Sequence, residues 1–297
     1  MKVLFVVNPI SGGVNKEPFL KKARAVCDFY GIAYSIFKTS GVNDQTELLK
    51  QIESFRPDKI ASVGGDGTTL FSAITLLNLN IPMGIIPLGS ANGMAAELSV
   101  NLKPMEAFKD MLLSDMVEGL DLLKINEKHY TMHIGDVGLN ASIVEAYEKD
   151  EKRGMATYAK YFVEELKTLV PFKATVKANG RSVESNVLMT AICNARKYGT
   201  GVPLNKIGNP MDGKFEIVLL EQIDLPSLVK AGLSKFDEKY MDNQSSQVIS
   251  TDYAEILFEE PRLLQLDGEV LDYYKEIKVE IIKGAVGLLT TRNNTYL

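Results

Sequence analysis

The sequence predicts a two-domain protein in which an α/β domain with a doubly wound parallel sheet precedes a mostly antiparallel β domain. Over about the first 120 residues, short apolar β-branched runs alternate with segments whose apolar residues recur at helical spacing. This alternation is the pattern of βαβ units in a parallel sheet. Beyond about Leu120, short strand-like runs separated by turns take over, as in a sandwich or an open barrel. We place the domains at residues 1–120 and 121–297, with room for the last residues to return to the first domain.

The N-terminal domain is predicted to contain four strands with helices between them. The strands are the apolar runs at residues 3–7, 33–38, 60–63 and 83–86. Two helices follow from apolar residues at helical spacing, one across 19–27 and one across 48–55, where Pro57 ends the pattern. A third helix begins directly after the third strand.

Each of these four strands is followed by a small polar loop, and the loops are rich in glycine and hydroxyl side chains. They contain Asn8, Ser11 and Gly12 after strand one, Thr39 after strand two, residues 64–68 after strand three, and residues 89–92 after strand four. The carboxyl ends of parallel strands lie along one edge of the sheet, which is where open α/β sheets bind ligands. Small loops of this kind suit a nucleotide better than a bulky apolar ligand.

The loop after strand three has the strongest chemical signature. It places three glycines around a single carboxylate, Asp66, immediately before a new helix. Backbone amides and a helix N-terminus in this arrangement face an anion, and glycine permits the close backbone approach. Since a carboxylate repels phosphate, Asp66 suggests a metal-bridged polyphosphate. The alternative is a turn in which Asp66 only caps the next helix, and the residues alone favour neither.

The C-terminal half is predicted to be mostly antiparallel β. Its strand-like runs lie at 121–126, 129–133, 174–177, 187–193, 214–220, 253–258, 262–267 and 276–282. Asn179-Gly180 marks a hairpin turn. Helical insertions are predicted near 158–169 and 225–242, and the charged run 145–153 is interpreted as a solvated helix end or loop. The apolar residues between Phe162 and Phe172 are interpreted as core and dimer surface.

Composition excludes several classes of protein. The net charge of −5 argues against a nucleic-acid partner. Cys27 and Cys193 are far apart in apolar contexts, as expected of reduced core residues in a cytosolic protein. The N-terminal apolar run is too short for a signal-peptide core, and no stretch is long enough to span a membrane. Any membrane substrate is therefore expected to be met from the surface.

Four motifs in a fixed order carry a resemblance to a known family. They are Asn8-Pro9-x-Ser11-Gly12, Gly64-Gly65-Asp66-Gly67-Thr68, Pro87-Leu88-Gly89-Ser90-x-Asn92 and Asp267-Gly268-Glu269. In this order the chain resembles the diacylglycerol kinase-like lipid kinases, which include soluble bacterial diacylglycerol kinases, sphingosine kinases and ceramide kinases. The resemblance runs nearly the full length, through residues 135–138 with Ala141, residues 194–201, and Asp212-Gly213. It implies an N-terminal ATP-binding α/β domain and a C-terminal β-sandwich that carries the catalytic glutamate.

The resemblance also implies roles for individual residues. Glu269 matches the proposed general base for the acceptor hydroxyl, and Asp66 would orient Mg²⁺ through its water ligands. The implied structural metal site comprises Asn209, Asp212 and the carbonyl of Lys214. The residues implied in ATP binding are Asn8, Ser11, Thr39, Gly64, Gly65, Asp66, Gly67, Thr68, Thr69, Leu70, Ser90 and Asn92.

Two positions depart from the family pattern. Gly93 stands where the family usually has an acidic residue that joins a network with the counterparts of Asp66 and Asp121. Asn209 stands in the metal loop where an acidic residue is frequent. The first departure thins a polar network, and the second removes one charge from a site for Mg²⁺.

The expected function is phosphorylation of a lipid hydroxyl, most simply that of diacylglycerol, by a cytosolic enzyme that visits the membrane surface. NAD kinase shares Gly-Gly-Asp-Gly-Thr, but the combination that distinguishes it, an Asn-Glu pair followed by a Thr-Gly-Ser-Thr-Ala segment, does not occur in this sequence. A regulatory protein with a decayed site is the non-enzyme alternative, since Gly93 and Asn209 are both losses. A Walker P-loop and a Gly-x-Ser-x-Gly elbow are both absent from the sequence. His129 and His133 have no third ligand nearby, so a zinc site is not expected.

Overall fold

The computed structural model describes residues 1–138, 170–197, 204–222 and 245–297. The predicted helices near 158–169 and 225–242, the charged run 145–153 and part of the segment 194–201 lie outside these residues. The chain forms two compact units. The first comprises Met1–Asp121 and Lys283–Leu297, and the second comprises Leu122–Ile282. The last 15 residues therefore belong to the N-terminal unit.

The first unit is an α/β structure. Its strands are β1 (Lys2–Val7), β2 (Ala33–Lys38), β3 (Lys59–Gly64) and β4 (Met83–Pro87). Its helices are α1 (Glu17–Phe29), α2 (Asp44–Phe55), α3 (Asp66–Thr75), α4 (Gly93–Glu97) and α5 (Pro104–Leu113), with a short 3-10 turn at Ser11–Gly13. The strands are parallel in the order β2-β1-β3-β4, which confirms the predicted parallel sheet.

The local sequence explains where several of these elements begin and end. Five of the six residues of β1 are buried, as a central parallel strand requires. Helix α1 buries one apolar face and begins beside a proline, Pro18, in its first turn. Helix α2 ends at Phe55, where Arg56 adopts a left-handed conformation before Pro57. The Lys59 ammonium closes the end of α5 by donating to the carbonyls of Met111, Leu112 and Ser114 at 2.8–3.1 Å.

The second unit is the predicted antiparallel β-sandwich. Its strands are the later part of β5 (Val117–Ile125), β6 (His129–Thr131), β7 (Ile134–Gly138), β8 (Phe172–Ala178), β9 (Arg181–Val187), β10 (Met189–Cys193), β11 (Phe215–Gln222), β12 (Ser245–Thr251), β13 (Tyr253–Leu266) and the first part of β14 (Glu269–Leu289). The hydrogen-bonded order is β12-β11-β10-β7-β13-β14. The β8–β9 hairpin pairs with β13 and turns at Asn179-Gly180, both with positive φ.

Several strand boundaries differ from the predicted ones. Residues 253–258 and 262–267 are predicted as two strands, but 253–258 and 262–266 belong to the single strand β13, and Asp267 lies in the turn after it. The register against β14 shifts between Leu257 and Arg262, because Pro261 cannot donate to the ladder and is accommodated at an irregularity. Strand β14 is also much longer than the predicted 276–282, since pairing partners extend it in both directions.

Buried and polar positions follow the expected pattern in most places. Cys27 and Cys193 are both buried and free, and burial raises the pKa of the Cys27 thiol to about 11. Phe172 is buried, whereas Val170 is exposed, and the other residues of that apolar segment lie outside the described ranges. Within the described part of the chain, no helix is long and apolar enough to cross a membrane.

Candidate active site

The four polar loops of the first unit all leave the carboxyl ends of its parallel strands. The loop after β1 is held by its own residues. The Asn8 side-chain oxygen accepts the Ile10 amide at 3.1 Å, and the Ser11 hydroxyl donates to the Asn8 carbonyl at 3.3 Å. Asn8 and Ser11 therefore shape the loop itself. Only their positions, at the predicted sheet edge, match the role expected from the sequence.

Lys16, which was not predicted as a site residue from the sequence, also belongs to this loop. Its side chain is buried, and the ammonium donates to the carbonyls of Ser11 and Val14, the latter at 2.8 Å. Burial lowers the pKa of Lys16. By drawing two carbonyl oxygens toward itself, the ammonium fixes the course of the loop before α1 begins.

Three of the loops approach one another through glycine backbone. A Cβ on Gly89 would lie 2.3 Å from the Cα of Gly65, and a Cβ on Gly12 would lie 2.7 Å from the carbonyl carbon of Gly89. Both distances are too short for any side chain. The loops after β1, β3 and β4 are therefore packed backbone to backbone, which brings together three of the segments predicted from the sequence.

The segment Gly64–Leu70 has the strand-turn-helix geometry expected of an anion site. Gly64 ends β3, Gly65 is the N-cap of α3, and Asp66 and Gly67 occupy its first turn. Amides in a first helical turn have no partner within the helix and carry the positive end of its dipole. Thr68 and Thr69 are buried, while Gly67 is exposed and Leu70 is half-buried. The exposed face of this turn is thus mainly backbone.

Asp66 makes a contact that its position in α3 does not suggest. Its two carboxylate oxygens accept the amides of Gly93 and Met94, each at 2.9 Å. The carboxylate therefore caps α4, not the helix that it begins. A carboxylate has about four acceptor positions, so two remain for the water ligands of a cation. The residue fits an outer-shell role toward Mg²⁺ and already has a structural one.

The remaining predicted nucleotide residues lie on the flanking loops. Asn92 closes the loop after β4, since its side chain accepts the Gly89 amide at 2.8 Å and donates to the Gly89 carbonyl at 3.1 Å. Ser90, inside that loop, is exposed. Thr39 follows β2, the edge strand, and its amide donates to the Val7 carbonyl at 2.9 Å.

In the second unit, Glu269 follows a tight turn between β13 and β14. Asp267 and Gly268 both have positive φ, 50° and 88°, which is the backbone of a type I′ hairpin turn. Glu269 is exposed. Its carboxylate accepts no hydrogen bond from any residue in the described ranges, so this acid is available to a ligand.

The turn that carries Glu269 is anchored by its neighbour. The Asp267 carboxylate accepts the Thr131 hydroxyl at 2.6 Å and the amides of Met132 and Ile134 at 3.3 and 3.2 Å. Charge-assisted bonds of this kind are stronger than neutral ones. The Asp-Gly-Glu motif thus combines an anchoring acid with an exposed acid, separated by a glycine that permits the turn.

In the predicted metal loop, some of the side-chain oxygens proposed as metal ligands accept hydrogen bonds from the backbone of the loop itself. The Asn209 side-chain oxygen accepts the Met211 amide at 3.0 Å, and one Asp212 oxygen accepts the Lys214 amide at 2.9 Å. Across the described part of the chain, no group of three His, Cys, Asp or Glu residues could hold a metal ion. The loop alone is a poor donor set for Mg²⁺, which favours carboxylates and water, and the assignment stays a prediction.

Comparisons with known proteins cover nearly the whole chain. The family described as "Diacylglycerol kinase catalytic domain" matches residues 2–125. The family described as "YegS C-terminal NAD kinase beta sandwich-like domain" matches residues 135–290. The Yersinia enterocolitica protein named "Probable lipid kinase YegS-like" is 28% identical over 268 residues, which are 86% of each chain.

Two solved structures show the same fold. A diacylglycerol kinase from Bacillus anthracis is similar with a TM-score of 0.73 at 20% identity, covering 99% of this chain and 98% of that one. An NAD kinase from Archaeoglobus fulgidus in complex with ATP has a TM-score of 0.57 at 15% identity, covering 98% and 94%. The architecture is therefore shared by kinases with different acceptors.

Proposed function

Because this chain belongs to the diacylglycerol kinase-like family of lipid kinases, we propose that it transfers the γ-phosphate of ATP to a lipid hydroxyl. The acceptor in this proposal is diacylglycerol or a lipid with a similar free hydroxyl, and Mg²⁺ accompanies the nucleotide. The enzyme would work from the cytoplasm and meet its acceptor at the membrane surface.

The first unit supplies the donor side of the reaction. Phosphoryl transfer asks mainly for positioning of the phosphates and stabilisation of their charge. The amides at the start of α3, the exposed Ser90 and the packed glycine loops suit these tasks, since backbone can approach phosphate closely where no side chain intervenes. Mg²⁺, when bound, neutralises phosphate charge, and Asp66 would hold water ligands of that ion.

The second unit supplies the acceptor side. A lipid hydroxyl must lose its proton as the new bond to phosphorus forms, and a positioned carboxylate can accept that proton. Glu269 is exposed on an anchored turn and has no described hydrogen-bond partner. This exposed acid on a turn fixed by Asp267 is the observation that most strongly supports the proposal.

The decisive experiment compares Glu269→Gln with Glu280→Gln, the same substitution at an exposed position on the same strand. Both proteins are given radiolabelled ATP, Mg²⁺ and vesicles containing diacylglycerol, ceramide or sphingosine. We expect Glu269→Gln to lower turnover by about 10²- to 10⁴-fold, the usual contribution of a general base. ATP affinity measured by calorimetry should not change, because the variant keeps every proposed nucleotide residue. Glu280→Gln should behave as wild type.

Two outcomes would contradict the proposal. Phosphorylation of NAD in place of every lipid would identify the NAD kinase activity instead, which the shared architecture makes a necessary control. ATP binding without turnover on any acceptor would identify a regulatory nucleotide-binding protein. Full turnover by Glu269→Gln with a lipid acceptor would keep the lipid kinase assignment but remove Glu269 from its role.

A further inference from the structure

A buried polar pair lies directly behind the turn that carries Glu269. Asp136 on β7 and Gln265 on β13 are opposite each other in the antiparallel ladder. Asp136 is 0% exposed and Gln265 is 1% exposed. A carboxylate in such a place carries a large desolvation cost, so a purely apolar pair would be the less costly way to fill the position.

Hydrogen bonds lead from this pair to the turn. The Gln265 side-chain amide donates to the Asp136 carboxylate. The other end of the same amide, its oxygen, accepts the Gly268 backbone N–H at 2.8 Å. Because an amide has its donor and acceptor at opposite positions, the bond to Asp136 determines that the oxygen faces Gly268.

The turn is therefore fixed at both of its central residues. Asp267 is held by Thr131, Met132 and Ile134, and Gly268 is held by Gln265. Glu269 is the next residue, and its backbone pairs with Leu266 across the hairpin. A displacement of about 1 Å at a catalytic group can cost about a hundredfold in rate, so the restraint on Gly268 bears directly on the position of the proposed base.

We propose that Asp136 and Gln265 form a positioning pair that orients the Asp267-Gly268 turn and thereby places the Glu269 carboxylate for catalysis. This inference rests on the proposed function, because it presumes that Glu269 is the base. Neither residue of the pair touches a substrate in this role. Asp136 orients the Gln265 amide through a hydrogen bond, and Gln265 holds the Gly268 N–H through another. Because Glu269 follows Gly268 in the chain, its backbone position is restrained as well.

A charge-conserving exchange tests the pair. Gln265→Glu alone opposes two carboxylates in a buried place and breaks the donor–acceptor match. Adding Asp136→Asn restores it with reversed polarity, since the new Asn donates to the new Glu, whose second oxygen accepts from Gly268. We expect Gln265→Glu to lower kcat about tenfold or more while the ATP dissociation constant is kept, and the double variant to return within about threefold of wild type.

A second readout does not depend on activity. Exchange of the Gly268 amide hydrogen, followed by NMR or mass spectrometry, should be faster in Gln265→Glu and slow again in the double variant. Gln222→Glu is the matched control, because the same substitution falls on an exposed residue at the end of β11. Thermal unfolding of each variant confirms that it is folded before its kcat is compared.

The outcomes separate this inference from the proposed function. If Glu269→Gln abolishes turnover but Gln265→Glu keeps full kcat, or if the double variant recovers nothing, the positioning pair is wrong and the lipid kinase stands. If the wild-type protein phosphorylates no lipid, the proposed function fails, and the amide hydrogen exchange of Gly268 decides whether the pair anchors the turn. Slow hydrogen exchange restored in the double variant supports the anchoring, and the same exchange rate in all variants overturns it.

Discussion

Gly89 shows how closely the loops of the first unit are packed. A methyl group there would lie 2.3 Å from the Gly65 Cα and 2.8 Å from its nitrogen. Backbone atoms cannot rotate away as a flexible side chain can, so the two loops would have to separate. The glycine motifs therefore serve the contact between loops as well as any ligand.

We predict that Gly89→Ala destabilises the protein and weakens ATP binding together. Forced overpacking costs about 1–3 kcal/mol, measured as the free energy of unfolding in urea, and calorimetry should show a matching loss of ATP affinity. Gly67→Ala is the control for stability, because nothing lies within 4 Å of a Cβ at that position. Equal stability of Gly89→Ala and wild type would mean that the loops separate at little cost.

Asp66 illustrates a residue whose role the sequence left open. Phosphate chemistry and helix capping were both compatible with an acid at a helix start. The carboxylate caps α4, which begins 27 residues later at Gly93. Gly93 replaces an acidic residue of the family pattern, and its amide is one of the two that Asp66 binds. Because this contact uses the backbone amide of residue 93, the missing acidic side chain at that position still leaves Asp66 with a defined position.

At the scale of elements, strands β11 and β12 enclose a buried acid. Glu216 is 2% exposed. Its oxygens accept the Asn205 amide at 2.7 Å and the hydroxyl of Ser250, its cross-strand partner, at 2.9 Å. Burial raises the pKa of Glu216 above its ordinary 4.5, although the bonds from Ser250 and Asn205 act in the opposite direction.

The raised pKa predicts a pH dependence of stability. The folded state holds the Glu216 proton more tightly than the unfolded chain does, so stability falls as pH rises from about 4.5 through the folded pKa. Glu216→Gln cannot ionise and should lose this part of the dependence. Urea unfolding from about pH 4 to about pH 8 should show the difference between variant and wild type shrinking or reversing as pH rises. Parallel curves would contradict it.

Strand β13 shows which features of an element can be predicted. Its apolar residues were correctly assigned to strands, because alternation along the chain is a local property. Its continuity across Glu259-Glu260-Pro261 was missed, since a proline in a strand is tolerated only where the partner strand shifts register. The length of the partner strand β14 is determined by the strands that pair with it and not by its own composition.

At the scale of the whole molecule, the chain returns to its first unit at the end. Residues 283–297 join the N-terminal unit. There the Thr290 amide donates to the Met116 carbonyl at 3.1 Å, and the Gly284 amide donates to Asp121 at 2.6 Å. Leu288 of β14 pairs with Met83 of β4, and the Tyr296 hydroxyl donates a hydrogen bond to the Glu97 carboxylate in α4.

This return predicts that residues 1–121 do not fold stably alone. Without 283–297, the edge of β4 and the apolar surface around Leu289 lose their cover. Joining 283–297 to Asp121 by a short glycine-serine linker should restore cooperative thermal unfolding, followed by circular dichroism. The linker can be short, because Gly284 lies against Asp121. A fragment 1–121 that unfolds as cooperatively as the linked form would show that the return is dispensable.

Much of the candidate site was predictable from the sequence, and the residues that were not predicted are all buried polar side chains. The glycine loops, Asp66 and Glu269 stand out because few residue types fit their local geometry or chemistry. Lys16 and Gln265 do not stand out, because a lysine or a glutamine is ordinary in a loop or a strand, and Asp136 was noticed only as part of the matched segment 135–138. Only burial distinguishes them, and burial depends on what packs against them.

The sequence alone determined the two-part architecture, the parallel sheet of the first unit and the motifs that place this chain among lipid kinases. These depend on periodicity, turn chemistry and residue types within short windows, which local physical rules govern. The tertiary structure alone decided that Asp66 caps α4, that three glycine loops touch, and that Asp136 and Gln265 lie behind Glu269. It also placed residues 283–297 in the first unit, a return that the sequence had left open. Each of these joins residues distant in the chain, and such contacts are set by the packing of the whole fold.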